Sequence, residues 1–159
     1  MIATIGILQA CYRGPRPISA IAEPDTAQLP LRSLSGEPTT LAAVTTGRAA
    51  VVALWATWCE SCRHEVPALR RLDERSRLTG DFVVVAIAVG SDAQGVQAFV
   101  ERSGAAYRQL LDDEGTFAEL GERRVPTILV VDATGRTVHR GRALDRAALD
   151  ALARSLPRR

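Results

Sequence analysis

The chain has 159 residues, 47% of them hydrophobic and 24% charged, with a formal net charge of +2. That length suits one domain around one core, in the composition range of an ordinary soluble globular protein, and so mild a charge leaves no footprint for nucleic acid or an acidic membrane. Every basic residue is Arg, and Lys and Asn are both absent, so pairs such as Arg70-Arg71 and Arg158-Arg159 read as solvated surface under a coding bias.

In chain order, Met1–Ala10 is apolar and ends in Leu8-Gln9-Ala10-Cys11. That ending resembles the bacterial lipobox, in which the cysteine receives a lipid. The reading divides the chain into a lipoprotein signal over 1–11, a proline-punctuated tether over 12–30 and a folded domain over 31–157. The apolar stretch is short for a secretory signal and lacks its basic n-region. A mis-set start codon and a frayed terminus with a spare thiol both remain open.

From Leu31 the pattern is regular. Leu31–Leu34 and Thr40–Val44 flank the turn-like Ser35-Gly36-Glu37-Pro38, which predicts a short N-terminal β element. The Val-rich run Ala49–Ala56 predicts a buried central strand. A helix is expected from Glu60 to Leu78, with Val66, Leu69, Leu72 and Leu78 inward and a kink at Pro67. Phe82–Val89 predicts a second buried strand. Ser91 with Gln94 forms a capping-box pattern, opening a helix that presents Val96, Phe99 and Val100. A segment at Tyr107–Leu111 and a helix at Gly115–Leu120 follow. Thr127–Val131 is a third strand, turned by Asp132–Gly135 into Arg136–Arg140. A last helix from Asp145 buries Ala148, Leu149, Leu152 and Leu156. The order β-α-β-α-α-β-β-α predicts an α/β sheet with helices on both faces.

Chemistry concentrates at Trp55-Ala-Thr-Trp-Cys59-Glu-Ser-Cys62, where the central strand passes into a helix. At a helix N-terminus, free backbone N–H groups and the dipole favour a thiolate, the nucleophile of disulfide exchange. Cys59 is therefore expected to be the exposed attacking thiol. Cys62, one turn inside, would resolve the mixed disulfide. A zinc site would need a second ligand pair, but the chain offers only Cys11, His64 and His139 besides. Arg63 after Cys62 excludes a haem-attachment motif. Glu60 opposes the thiolate while Ser61 can donate to it, so these neighbours leave the redox potential open.

The motif W-A-T-W-C-x-x-C-R-x-E-x-P, with Val125-Pro126-Thr127 ahead of a later strand, resembles the thioredoxin fold and, more narrowly, the TlpA/ResA-like thiol–disulfide oxidoreductases. The resemblance runs from about Leu31 to Leu156. It implies a central mixed β-sheet flanked by helices on both faces, with an N-terminal β element and a central insert at roughly Ser91–Asp112. It implies that Pro126 is cis and faces the dithiol, and that Val125 offers its backbone to a substrate strand. The buried aspartate of thioredoxin falls at Ala53, so the resemblance points to Glu65 as proton acceptor. Trp58 is expected to shield Cys59 and shape the groove, with Trp55 in the core and His64 on the surface.

The resemblance further implies an extracytoplasmic enzyme, in the bacterial periplasm or cell envelope, that reduces protein disulfides without a cofactor or metal. Apocytochrome c is among the expected substrates. Electrons would come from a membrane dithiol donor of the CcdA or DsbD kind, and a monomer is expected. The alternative is a Cu(I) metallochaperone of the same fold, since two thiolates one turn apart suit Cu(I). Copper-handling relatives of this fold use a wider cysteine spacing plus a distal histidine, and nothing in the sequence aims His139, on a late strand, at Cys59. The Pro-x-x-x-Thr-x-x-Cys context of peroxiredoxins is absent.

Overall fold

The computed structural model describes residues 26–112, 115 and 124–158. Its organising element is β3, Ala49–Trp55, in which all seven residues are buried. Such a strand needs cover on both faces, which is why it reads as an unbroken apolar run rather than an alternation. It pairs in parallel with β4, Phe82–Val89, and antiparallel with β6, Thr127–Val131. Beyond β4 lies parallel β5, Arg108–Asp112, and beyond β6 lies antiparallel β7, Thr137–Gly141. Strands β1, Pro30–Ser33, and β2, Pro38–Thr40, complete a mixed sheet in the order β2-β1-β5-β4-β3-β6-β7.

The pleat divides the core. Ala49, Val51, Ala53 and Trp55 face a layer containing Val66, Leu69, Phe99, Ala148 and Leu152. Those residues belong to α3, Val66–Thr79, α4, Ala93–Ser103, and α5, Arg146–Ser155. Ala50, Val52 and Leu54 face the other way, against Leu31, Leu41, Val85, Ile87 and Leu129. Leu41 opens α1, Leu41–Thr45, so helices cover both faces as the pattern predicts. The stretch expected as a central insert forms α4 and β5.

Local expectations are corrected at several points. Of Thr40–Val44 only Thr40 belongs to the β element, as the end of β2. Thr40 also caps α1, its hydroxyl accepting from the Ala43 N–H at 3.1 Å. The helix expected over Glu60–Leu78 is two helices, α2, Glu60–Arg63, and α3, with His64 and Glu65 between them. Pro67 does not kink it. It stands in the first turn of α3, where its missing N–H costs no helical hydrogen bond. Leu78 is 87% exposed and Leu149 is 40% exposed, so neither completes its helix's apolar face, whereas the partly buried Leu156 does reach the core. The cap of α4 is Asp92, whose carboxylate accepts from Gly95 N–H at 2.7 Å, and not Ser91. The tether expected over 12–30 ends earlier, because Thr26–Gln28 forms a 3-10 turn with Thr26 and Ala27 buried and Pro30 opens β1. Residues 1–25, Cys11 included, and the helix expected at Gly115–Leu120, apart from Gly115 itself, lie outside the described residues.

Candidate active site

Trp55 ends β3 beneath the site, with its ring tilted against Phe99 at a centroid distance of 4.4 Å. The next residues turn sharply, because Cys59 N–H donates to the Ala56 carbonyl at 3.0 Å. Ser91, displaced from the cap of α4, holds this turn instead. Its hydroxyl accepts from Thr57 N–H at 3.1 Å and donates to the Val89 carbonyl at 3.3 Å. The dithiol turn is thereby tied to the end of β4.

Cys59 and Cys62 form a disulfide of 2.05 Å with their Cα atoms 5.4 Å apart. Cys59 is the N-cap of α2, and its sulfur accepts from Cys62 N–H at 3.2 Å and lies 3.5 Å from Ser61 Oγ. The expected long helix is absent here, so the macrodipole behind Cys59 is that of a single turn. The polar contact at the Cys59 sulfur is the N–H of Cys62 aimed at it, not the field of a long helix. The expected exposure of Cys59 is also corrected: the residue is 6% exposed and Cys62 is 5% exposed. Trp58 is 70% exposed and projects from the turn.

Behind Cys62 lies a small cavity of about 10 Å³, near the minimum that one water molecule requires. Its wall includes Glu65, Pro126, Ala53, Phe99 and Tyr107. Three expected site residues, Cys62, Glu65 and Pro126, therefore meet around one space. The break between α2 and α3 is what lets Glu65 face this way. One carboxylate oxygen, Oε2, accepts from the Leu144 N–H at 2.8 Å. Burial and the negative charge of Asp73 push the Tyr107 phenol far above its ordinary value, against the pull of Arg70, so Tyr107 stays neutral.

The Val125–Pro126 peptide bond is cis, and Pro126 borders the cavity beside Cys62. Sequence reasoning missed what holds this loop. Arg142 donates to the Val125 carbonyl at 3.1 Å and to Thr127 Oγ1 at 3.3 Å, while Thr127 Oγ1 donates to the Arg124 carbonyl at 2.7 Å. No local signal marks Arg142, one arginine among twenty basic residues. His64 is exposed, and His139 lies on β7 with its ring folded back towards Gly141 and a buried Nε2. Among the described residues, no group of three or more His, Cys, Asp or Glu side chains could hold a metal ion.

The sequence of residues 20–152 matches the family model described as Redoxin. The chain is 32% identical to the thioredoxin-like protein YneN of Bacillus subtilis, over 66% of this chain and 62% of that one. It is 26% identical to the thiol–disulfide oxidoreductase ResA of Geobacillus thermodenitrificans, over 57% of this chain and 52% of that one. The chain thus spans less than two thirds of the length of either relative. A solved thiol–disulfide oxidoreductase from Bacteroides fragilis superposes with a TM-score of 0.69, covering 81% of this chain and 97% of the other, at 20% identity. That last likeness speaks for the fold. With a Cys-x-x-C turn at the end of the central strand and a cis-proline loop beside it, this chain of thioredoxin-like fold belongs to the Redoxin family and fits its TlpA/ResA-like group.

Proposed function

We propose that this chain is a thiol–disulfide oxidoreductase that works as a reductase of protein disulfides, with Cys59 as nucleophile and Cys62 as resolving thiol. The observation that carries the reading is the Cys62 N–H aimed at Cys59 Sγ at 3.2 Å. In the reduced protein that donor favours a thiolate at Cys59, and no donor to the Cys62 sulfur is seen among the described residues. The Cys59 thiolate attacks one sulfur of a substrate disulfide, whose other sulfur leaves as a thiolate and takes a proton. Cys62, losing its proton, then attacks Cys59 Sγ and expels the second substrate thiolate. Two electrons pass to the substrate, and the protein is left with its Cys59–Cys62 disulfide.

Glu65 is the proposed acceptor for the Cys62 proton, across the small cavity they share. The oxygen bonded to Leu144 N–H fixes the carboxylate, and the other oxygen remains to exchange a proton. Val125 and Pro126 would present the substrate strand, with exposed Trp58 closing the opposite side of the groove. Arg142 takes one lone pair of the Val125 carbonyl, which leaves the N–H of Val125 and the second lone pair to face that strand.

We further propose, from the lipobox-like Leu8–Cys11 and the TlpA/ResA-like resemblance of the dithiol motif, an extracytoplasmic setting, lipid attachment at Cys11 with the residues between it and Thr26 as tether, apocytochrome c as a substrate, and a membrane dithiol donor. The copper-chaperone alternative has less support, since His139 is folded against Gly141 on β7. The deciding experiment is trapping. Cys62→Ser should accumulate mixed disulfides through Cys59 with reducible protein substrates, and alkylation of the reduced protein should strike Cys59 first. Faster alkylation of Cys62, with no trapped partner, would reverse the roles.

A further inference from the structure

Beside the dithiol, between α3 and the C-terminal half of α4, runs an open groove of about 370 Å³. Its floor is apolar, formed by Val66, Pro67 and Phe99, and its walls carry Arg63, Arg70 and Arg102. Val66 and Phe99 also line the cavity behind Cys62, and Arg63 follows Cys62 directly, so the groove begins where the chemistry ends.

Three guanidinium groups around one groove repel one another unless anions neutralise them. Two nearby acids have other partners: Asp73 pairs with Arg77 at 2.7 Å, and Glu101 accepts from the Gln97 amide at 3.1 Å. Among the described residues, Arg63, Arg70 and Arg102 meet no carboxylate at ion-pair distance. Arg70 lies along Gly104, the left-handed cap of α4, where a Cβ would come within 3.3 Å of its Nη1. A cation there complements the helix's C-terminal carbonyls.

We infer that this groove binds an acidic segment of the disulfide-bearing partner protein, a stretch in which Asp or Glu side chains alternate with an apolar residue. The carboxylates would bond to the arginines by paired N–H donors, and the apolar side chain would cover Val66 and Phe99. The inference rests on the oxidoreductase reading and adds a substrate class to it. Acidic flanks would speed encounter and lower KM, while the exchange chemistry at Cys59 would be untouched.

The test uses two disulfide peptides that differ only in three flanking Glu or three flanking Gln. It adds a labelled cysteine-free Glu peptide, read by fluorescence anisotropy. The wild-type protein should reduce the Glu peptide about tenfold more efficiently at low salt, through KM, and the preference should fade by 0.5 M salt. Arg102→Glu should remove the preference and the anisotropy signal while leaving the Gln peptide's kcat/KM unchanged, and Arg70→Gln should reduce both partly. Equal rates for the two wild-type peptides, an equal loss on both in the variants, or binding of anionic lipid vesicles without the peptide would overturn the inference. If neither peptide is reduced, the oxidoreductase reading fails, and the anisotropy of the cysteine-free peptide still decides the groove.

Discussion

The dithiol turn and the proline turn face each other across the site, and they are built in opposite ways. The dithiol turn is local. Its hydrogen bonds run from Cys59 N–H to the carbonyl three residues back, and from Cys62 N–H to a sulfur three residues back. Only the tie between Thr57 and Ser91 comes from elsewhere. The proline turn has one local bond, from Thr127 Oγ1 to the Arg124 carbonyl, and is clamped from a distance by Arg142, seventeen residues on from Val125. Glu65 likewise takes its N–H donor from Leu144, seventy-nine residues away. A turn whose bonds are local keeps its shape wherever the strand and helix form. A turn held by a remote guanidinium exists only once the sheet has assembled. The reactive half of the site is thus encoded beside its cysteines, and the substrate-facing half depends on the fold.

Four experiments would break or sharpen that contrast. The largest effect belongs to the local turn: Cys59→Ser should lower reductase turnover by at least about 10³-fold, because the nucleophile itself is lost. Measurable turnover through Cys62 alone would contradict the assigned order. Next is Glu65→Gln, which still accepts from Leu144 N–H but cannot take a proton. It should slow resolution of the mixed disulfide roughly 10²-fold, the usual scale of general-base catalysis, and change the pH profile, with the fold stable to heat. A pH profile identical to wild type would reduce Glu65 to a strut.

The remote clamp should be weaker. Arg142→Ala should raise KM for a peptide disulfide about tenfold, the scale of one charge-assisted hydrogen bond, and spare a small uncharged disulfide. Arg142→Lys should restore part of the loss, because one ammonium can reach the Val125 carbonyl or Thr127 but not both in the same fork. Equal loss on both substrates would mean that Arg142 supports the sheet rather than the loop.

The smallest effect is expected farthest from the chemistry, in the turn between β6 and β7. Burial works to raise the Asp132 pKa. Hydrogen bonds from the Thr134 hydroxyl and the Arg136 and Thr134 N–H groups, together with the Arg136 charge, outweigh it and hold the carboxyl below its ordinary 3.8. A folded-state value below the unfolded one stabilises the protein above pH 3.8, and that gain is lost as pH falls through the lower folded value. Asp132→Asn should therefore cost roughly 0.5 kcal/mol at neutral pH and flatten the acid limb of a stability curve, with no change in peptide reduction. A change in kcat would link this turn to the site.

What could be read without coordinates follows from periodicity and from residue chemistry. Strands β3, β4 and β6 announce themselves as unbroken apolar runs, since only a strand covered on both faces tolerates such a run. The two cysteines mark their own turn, because their spacing carries the chemistry. Other features were hidden where a residue had two plausible environments. Pro67 reads equally as a kink or a first-turn residue, Ser91 as a cap or a latch, Leu78 as core or surface. Thr57, far along the chain, decided the role of Ser91, and the break at His64–Glu65 put Pro67 in a first turn. The sequence by itself determined the fold class and the position of the dithiol, both consequences of local pattern. The tertiary structure alone decided that Glu65 meets Cys62, that Arg142 holds the proline loop and that three arginines share one groove, because those contacts join residues that no local pattern links.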